Sequence, residues 1–229
     1  MQKVVRIFAI VAIVGVIAAA MVASFNQKTP NSEKVWDQDM TIGNMDAKNY
    51  FVIYSDIVCP YCVAFENAII EHQEEFEKYI AENDVLVEIR LSDFLFEYGQ
   101  ANPISSRYSA KAAMCAKKEG KFWDYYDHAI SEVWKGFFQD TGKNALTELD
   151  KQGEEYWIKL GKDVALGEDF EKCMKKNETL EEVENIAAKM AKTISGLPYF
   201  KFNSYISSGF DMNWGWDYVK MYFDSGLKS

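Results

Sequence analysis

Histidine is nearly absent from this chain: His72 and His128 are the only two in 229 residues. They form no ligand pair. Cysteine is scarce as well, with only Cys59, Cys62, Cys115 and Cys173. A thiol zinc site needs a second cysteine pair, and Cys115 and Cys173 stand alone and far apart. A c-type haem needs histidine directly after the C-x-x-C, where this chain has Val63. Positive charge is also short: 25 Lys and Arg against 35 Asp and Glu give a net charge of −10. Nucleic acid is therefore excluded as a partner, and the acid excess reads as solubility. No internal repeat or low-complexity tract stands out. No metal and no cofactor is called for.

What is present begins with an uncharged N-terminal run. Lys3 and Arg6 precede the segment from Ile7 to Gln27, and no acidic residue occurs between Met1 and Lys28. Its apolar core, Ile7 to Phe25, is 19 residues, longer than a signal-peptide core of about 7–15 and close to the roughly 20 that span a bilayer. Residues 1–27 are expected to be an uncleaved anchor, with a cleaved signal peptide as the rival because of small residues at Ala18 to Ala20 and at Ala23 and Ser24. The positive end stays in the cytosol, and the rest lies outside it, in the periplasm or on the outer face of the membrane. Disulfides form and persist there. Residues 28–40, polar and containing Pro30, read as a linker, and residues 41–225 as one elaborated domain.

The densest chemical signal is Cys59-Pro60-Tyr61-Cys62. Before it, Tyr50 to Tyr54 is rich in β-branched and aromatic residues. After it, an apolar stripe runs through Phe65, Ile69, Phe76 and Ile80 at helical spacing. Cys59 should stand at the N-terminus of a helix with Pro60 in its first turn. Orphan N–H groups and the helix dipole there favour a thiolate over a thiol. Disulfide exchange needs one accessible thiolate and a second, shielded thiol; Cys59 fits the first role and Cys62 the second. A merely structural C-x-x-C, in a binding or scaffold protein, is disfavoured because so short a loop gives little entropic stabilisation.

Downstream, Val85 to Leu91 alternates apolar residues with Glu88 and Arg90, a second strand completing a β-α-β unit. From about residue 103 to 195 the pattern is helical. Thr179 and Glu182 form a capping box, and Gly196 is placed to end that helix. Tyr199 to Phe202 and Tyr205 to Ser207 make a hairpin about Asn203 and Ser204, and Trp214 to Phe223 is a closing helix. Periodicity by itself gives an α/β class.

The stretch from Gly43 to Glu66, containing C-P-Y-C, resembles the opening of the DsbA-like thioredoxin-fold oxidoreductases. Two further matches follow in order: Ala113-Met114-Cys115-Ala116 with Gly120-Lys121-Phe122-Trp123, and Ser195-Gly196-Leu197-Pro198-Tyr199-Phe200. The resemblance implies a thioredoxin fold with an inserted helical subdomain over about 103–195. It implies a cis bond before Pro198, with the Leu197 backbone, Pro60 and Tyr61 meeting an extended substrate beside Cys59. It implies exported cysteine-containing proteins as substrates and a membrane electron acceptor protein for reoxidation. Oxidation is the favoured direction, reduction or isomerisation the alternative. The couple is expected between thioredoxin's roughly −270 mV and DsbA's roughly −120 mV.

Cys115 and Cys173, isolated in an exported chain, are most simply a structural disulfide, as in related proteins of this branch; two buried free thiols are the alternative. One position departs from the family. An acid often stands six residues before the first active-site cysteine, and here it is Ile53. Asp56 and Glu66 are the nearest carboxylates, with a strand-end turn and a solvated helix face as their plain roles.

Overall fold

The strand before the cysteine motif is the centre of the sheet and is covered on both faces, which explains its unbroken apolar run. In the computed structural model, which describes residues 35–140 and 145–229, β1 (Thr41–Gly43) is followed by β2 (Asn49–Ser55). From β2 the chain passes through α1 (Pro60–Ile70) and α2 (Gln73–Glu82) to β3 (Val85–Leu91). β3 lies parallel to β2, with Phe51 opposite Val87 and Ile53 opposite Ile89. β4 (Tyr199–Phe202) flanks β2 antiparallel, β5 (Tyr205–Ser208) pairs with β4, and β1 pairs with β3. Among the described residues the sheet order is β1-β3-β2-β4-β5.

Alternation along β2 divides the core between two faces. Phe51 and Ile53 face α1 and the closing helix α10 (Trp216–Leu227), where Phe51 meets Phe202 and Phe65 meets Phe200 with ring centroids 4.6 and 4.5 Å apart. Tyr50, Val52 and Tyr54 face Phe94, Met190 and Ile194. Because both faces are covered, Glu88 and Arg90 are buried. They survive burial by pairing: Arg90 Nη2 lies 2.9 Å from Glu88 Oε2, Arg90 Nη1 donates to Tyr54 Oη at 2.8 Å, and Tyr50 Oη donates to Glu88.

Between β3 and β4 the helical subdomain comprises α3 (Phe94–Tyr98), α4 (Ile104–Lys118), α5 (Phe122–Val133), a π-helical turn (Trp134–Phe138), α6 (Ala145–Asp150), α7 (Gly153–Asp163), α8 (Glu168–Met174) and α9 (Asn177–Met190). The α/β thioredoxin fold with a helical insertion is thus as expected. Several boundaries differ. The stripe from Phe65 to Ile80 is two helices, broken at His72, whose backbone (φ −125°, ψ 37°) leaves the helical region. Thr179 is not a cap: α9 starts earlier, and Thr179 is buried in its first turn, accepting from Lys118 Nζ at 3.0 Å. That helix also stops at Met190, well before Gly196.

The end of the expected linker belongs to the folded unit. Trp36 N–H donates to Glu88 Oε1 at 2.7 Å, the Trp36 ring lies 3.9 Å from the Arg90 guanidinium carbon, and Met40 is buried. No helix among the described residues is long and apolar enough to cross a membrane. The expected anchor, residues 1–27, lies outside the described residues.

Candidate dithiol site

The strand-to-helix junction is built around Asp56. Its Oδ1 accepts the Val58 N–H at 3.1 Å, an Asx turn, and its carbonyl accepts the Cys59 N–H at 3.0 Å. Its Oδ2 accepts the Leu95 N–H at 2.9 Å and the Ser106 hydroxyl at 2.5 Å. Burial raises the Asp56 carboxyl to about 6, and these hydrogen bonds oppose the rise. The side chain therefore ties the junction to α3 and α4. That exceeds the turn role its position suggested.

Cys59 then caps α1 with extended backbone (φ −76°, ψ 114°), its carbonyl accepting the Val63 N–H at 2.9 Å, and Pro60 begins the helix without an N–H to satisfy. Cys59 and Cys62 are free thiols. Cys59, expected to be accessible, is only 3% exposed, and Cys62 is fully buried. Tyr61 between them is 49% exposed, with Pro60 partly so. The Leu197–Pro198 peptide bond is cis, and the Cys59 thiol donates to the Leu197 carbonyl at 3.9 Å. Two of the three stretches that carried the resemblance in sequence, the first and the last, thus bring Cys59 and Leu197 together in space.

Beneath Cys59 the site is closed and acidic. Burial pushes the Cys62 thiol well above its ordinary value; the neighbouring Cys59 and Glu66 push the same way, and a backbone hydrogen bond from Asp56 opposes them. Glu66, one turn further along α1, is 4% exposed, where a solvated helix face was its plain reading. Burial raises its carboxyl to about 8, the Tyr126 and Ser55 hydroxyls oppose, and Asp127 and Asp56 add repulsion. Its Oε2 has no hydrogen-bond partner among the described residues. Ile53 is fully buried in the apolar core.

Sequence reasoning did not reach Tyr126 or Ser55. Tyr126, from α5, lies with its hydroxyl 3.5 Å from the Ser55 Oγ, and both are buried. No spacing could signal Tyr126, which arrives through the tertiary fold; Ser55, polar at the end of an apolar strand, was the available hint. Away from this site, Cys115 on α4 and Cys173 on α8 form a disulfide with Cα atoms 5.7 Å apart. A cavity of about 470 Å³ between β3 and α9 is lined by Trp36, Glu88, Arg90 and Glu182, and none of the dithiol residues reaches it.

A family described as thioredoxin matches residues 36–209. A protein of Rickettsia bellii (strain RML369-C), bearing the provisional name protein-disulfide oxidoreductase, is 24% identical over 186 residues, which cover 79% of this chain. The match covers 62% of that protein's length. Among solved structures, a thioredoxin-like oxidoreductase from Silicibacter pomeroyi DSS-3 superposes with a TM-score of 0.57 at 18% identity, covering 89% of this chain and 99% of its own. Wolbachia pipientis alpha-DsbA1 superposes with a TM-score of 0.59 at 15% identity, covering 87% and 96%. At these identities the likeness is one of fold.

Proposed function

This chain belongs to the thioredoxin family and has its DsbA-like fold, and on that premise we propose that it exchanges disulfides through Cys59 and Cys62, introducing them into exported proteins. The supporting observation is the asymmetry of the pair. Cys59 ends at the helix N-terminus beside the Leu197 carbonyl, whereas Cys62 is sealed below it. In this reading Cys59, 3% exposed at the helix terminus, is the sulfur that meets substrate, and the fully buried Cys62 completes the exchange from inside.

In the oxidising direction, a substrate thiolate attacks the Cys59 sulfur of the Cys59–Cys62 disulfide. The bond between the two cysteines breaks, and its electron pair goes to Cys62. A second substrate thiolate then attacks its partner sulfur in the mixed disulfide, and Cys59 leaves as a thiolate. The substrate loses two electrons and the cysteine pair holds them. An extended substrate segment beside the Leu197 backbone aligns the attacking sulfur, with Tyr61 and Pro60 forming the exposed rim. The proposed recharging partner is a membrane electron acceptor protein, and the N-terminal segment is the proposed tether that keeps the domain outside the cytosol.

Equilibration with glutathione of stepped redox poise, read by alkylation of Cys59 and Cys62, tests the direction. A potential between roughly −270 and roughly −120 mV supports the oxidase. A value at or below roughly −270 mV makes reduction of substrate disulfides the better assignment.

A further inference from the structure

Given the dithiol function just described, we propose that Glu66 carries the proton that Cys62 must gain and lose in each turnover. Ile53, six residues before Cys59, is aliphatic and packed in the apolar core, so it offers no proton-carrying group on the strand side of the pair. Asp56 is already committed, both of its carboxylate oxygens being held by Val58, Leu95 and Ser106. Glu66 is not. It follows Cys62 by four residues on α1, a spacing that puts the two Cβ atoms about 5–6 Å apart on one helix face. It is buried with Cys62, and although the Tyr126 and Ser55 hydroxyls serve the carboxyl, its Oε2 has no partner among the described residues.

The groups facing this carboxyl come from three elements: Asp56 and Ser55 at the end of β2, Tyr126 and Asp127 from α5, and Cys62 from α1 itself. Desolvation above all, with a smaller push from the two carboxylates and against the Tyr126 and Ser55 hydroxyls, raises it to about 8, a value at which it both donates and accepts near neutral pH. When a substrate thiolate opens the disulfide at Cys59, the electron pair arrives on the buried Cys62 sulfur. The Glu66 carboxyl gives that sulfur its proton and becomes a carboxylate. In recharging, the carboxylate takes the proton back as Cys62 attacks Cys59 in a mixed disulfide and expels the partner thiolate.

The test is the rate at which Cys62 closes on a Cys59–glutathione mixed disulfide, followed across pH in the full chain and in Glu66→Gln. The wild type should show an inflection near 8, and Glu66→Gln should lose it and close roughly 10²-fold more slowly near neutrality. Partial return of the inflection in Glu66→Asp supports the assignment. An unchanged rate and profile in Glu66→Gln would overturn it. Should the variants fail to fold, carbon NMR of the wild-type Glu66 carboxyl decides: titration near 8 supports the proposal, and titration in the ordinary carboxylate range refutes it. A wild-type chain that forms no mixed disulfide at Cys59 would instead sink the dithiol function itself, an outcome distinct from either.

Discussion

Two cysteine pairs in this chain share one chemistry, and their chain separation and surroundings assign them different work. Cys59 and Cys62 flank two residues at a strand-to-helix junction, so closing their disulfide restricts almost nothing in the unfolded chain. Cys115 and Cys173 are 58 residues apart and join α4 to α8 across the helical subdomain. By the loop-closure argument that link is worth about 4 kcal/mol. The first pair is free and lies beside a backbone carbonyl and an acidic pocket; the second is bonded and lies among helices. A short loop beside tunable groups makes a switch, and a long loop in packed helices makes a brace.

The largest test of that contrast removes one sulfur at a time. Cys59→Ser should abolish exchange with a reduced two-cysteine peptide. Cys62→Ser should accumulate mixed disulfides mapping to Cys59 by alkylation and peptide mass. Adducts on Cys62 in the Cys59→Ser chain, at the wild-type rate, would reverse the roles. The matching change in the brace, Cys115→Ser with Cys173→Ser, should do the opposite. Unfolding in urea should show a loss of about 4 kcal/mol, while exchange at Cys59 stays within about twofold under folding conditions.

A smaller effect is expected where the two regions are tied together. Asp56 holds the Val58 N–H of the junction and the Ser106 hydroxyl of α4, the helix that carries Cys115. Asp56→Ala leaves these donors and the Leu95 N–H unpaired in a buried site, a cost of about 3 kcal/mol. The sign with pH follows from a carboxyl raised in the fold from 3.8 to about 6. The folded state binds that proton more tightly, so the contribution of Asp56 is complete below 3.8 and falls as pH rises through about 6. The penalty of Asp56→Ala should accordingly be larger at about pH 4 than at neutrality in paired urea titrations. A penalty that grows with pH would mean that the ionised carboxylate, rather than the protonated one, is what the fold favours.

The switch was more legible in the sequence than the environment that tunes it. C-P-Y-C, the strand before it and the loop at Pro198 are local patterns, and local patterns survive without coordinates. Burial is not local. Glu66, with Asn67 beside it, is a polar residue on a mainly apolar helix, and only the arrival of Tyr126 from α5 shows that its face is closed to water. The burial of Glu88 and Arg90 is equally remote in sequence, since α9 packs over that side of the sheet. Helix limits failed where tertiary contacts override capping signals, as at Thr179, whose hydroxyl lies 3.4 Å from the Cys173 sulfur.

The smallest prediction asks how far the brace depends on packing around it. Gly161 on α7 faces α8 so closely that an added Cβ would stand 2.3 Å from Phe170 Cε1. Phe170, fully buried, precedes Cys173 by three residues on α8 and packs on Tyr125 at 5.9 Å. Gly161→Ala must therefore push the ring, and because the ring is fully buried the push is carried into the packing of α8. Overpacking of this kind costs about 1–3 kcal/mol, offset by about 1 kcal/mol of helix propensity gained over glycine, for a net loss of about 1 kcal/mol. Gly136→Ala, with nothing within 4 Å of its added Cβ, is the control and should not destabilise. Dithiothreitol should reduce the Cys115–Cys173 bond faster in Gly161→Ala than in the control, while exchange through Cys59 keeps its rate. If the Cys59 rate falls in step with the brace, the two cysteine pairs are mechanically coupled through α4 and Asp56, and the division of labour between switch and brace does not hold.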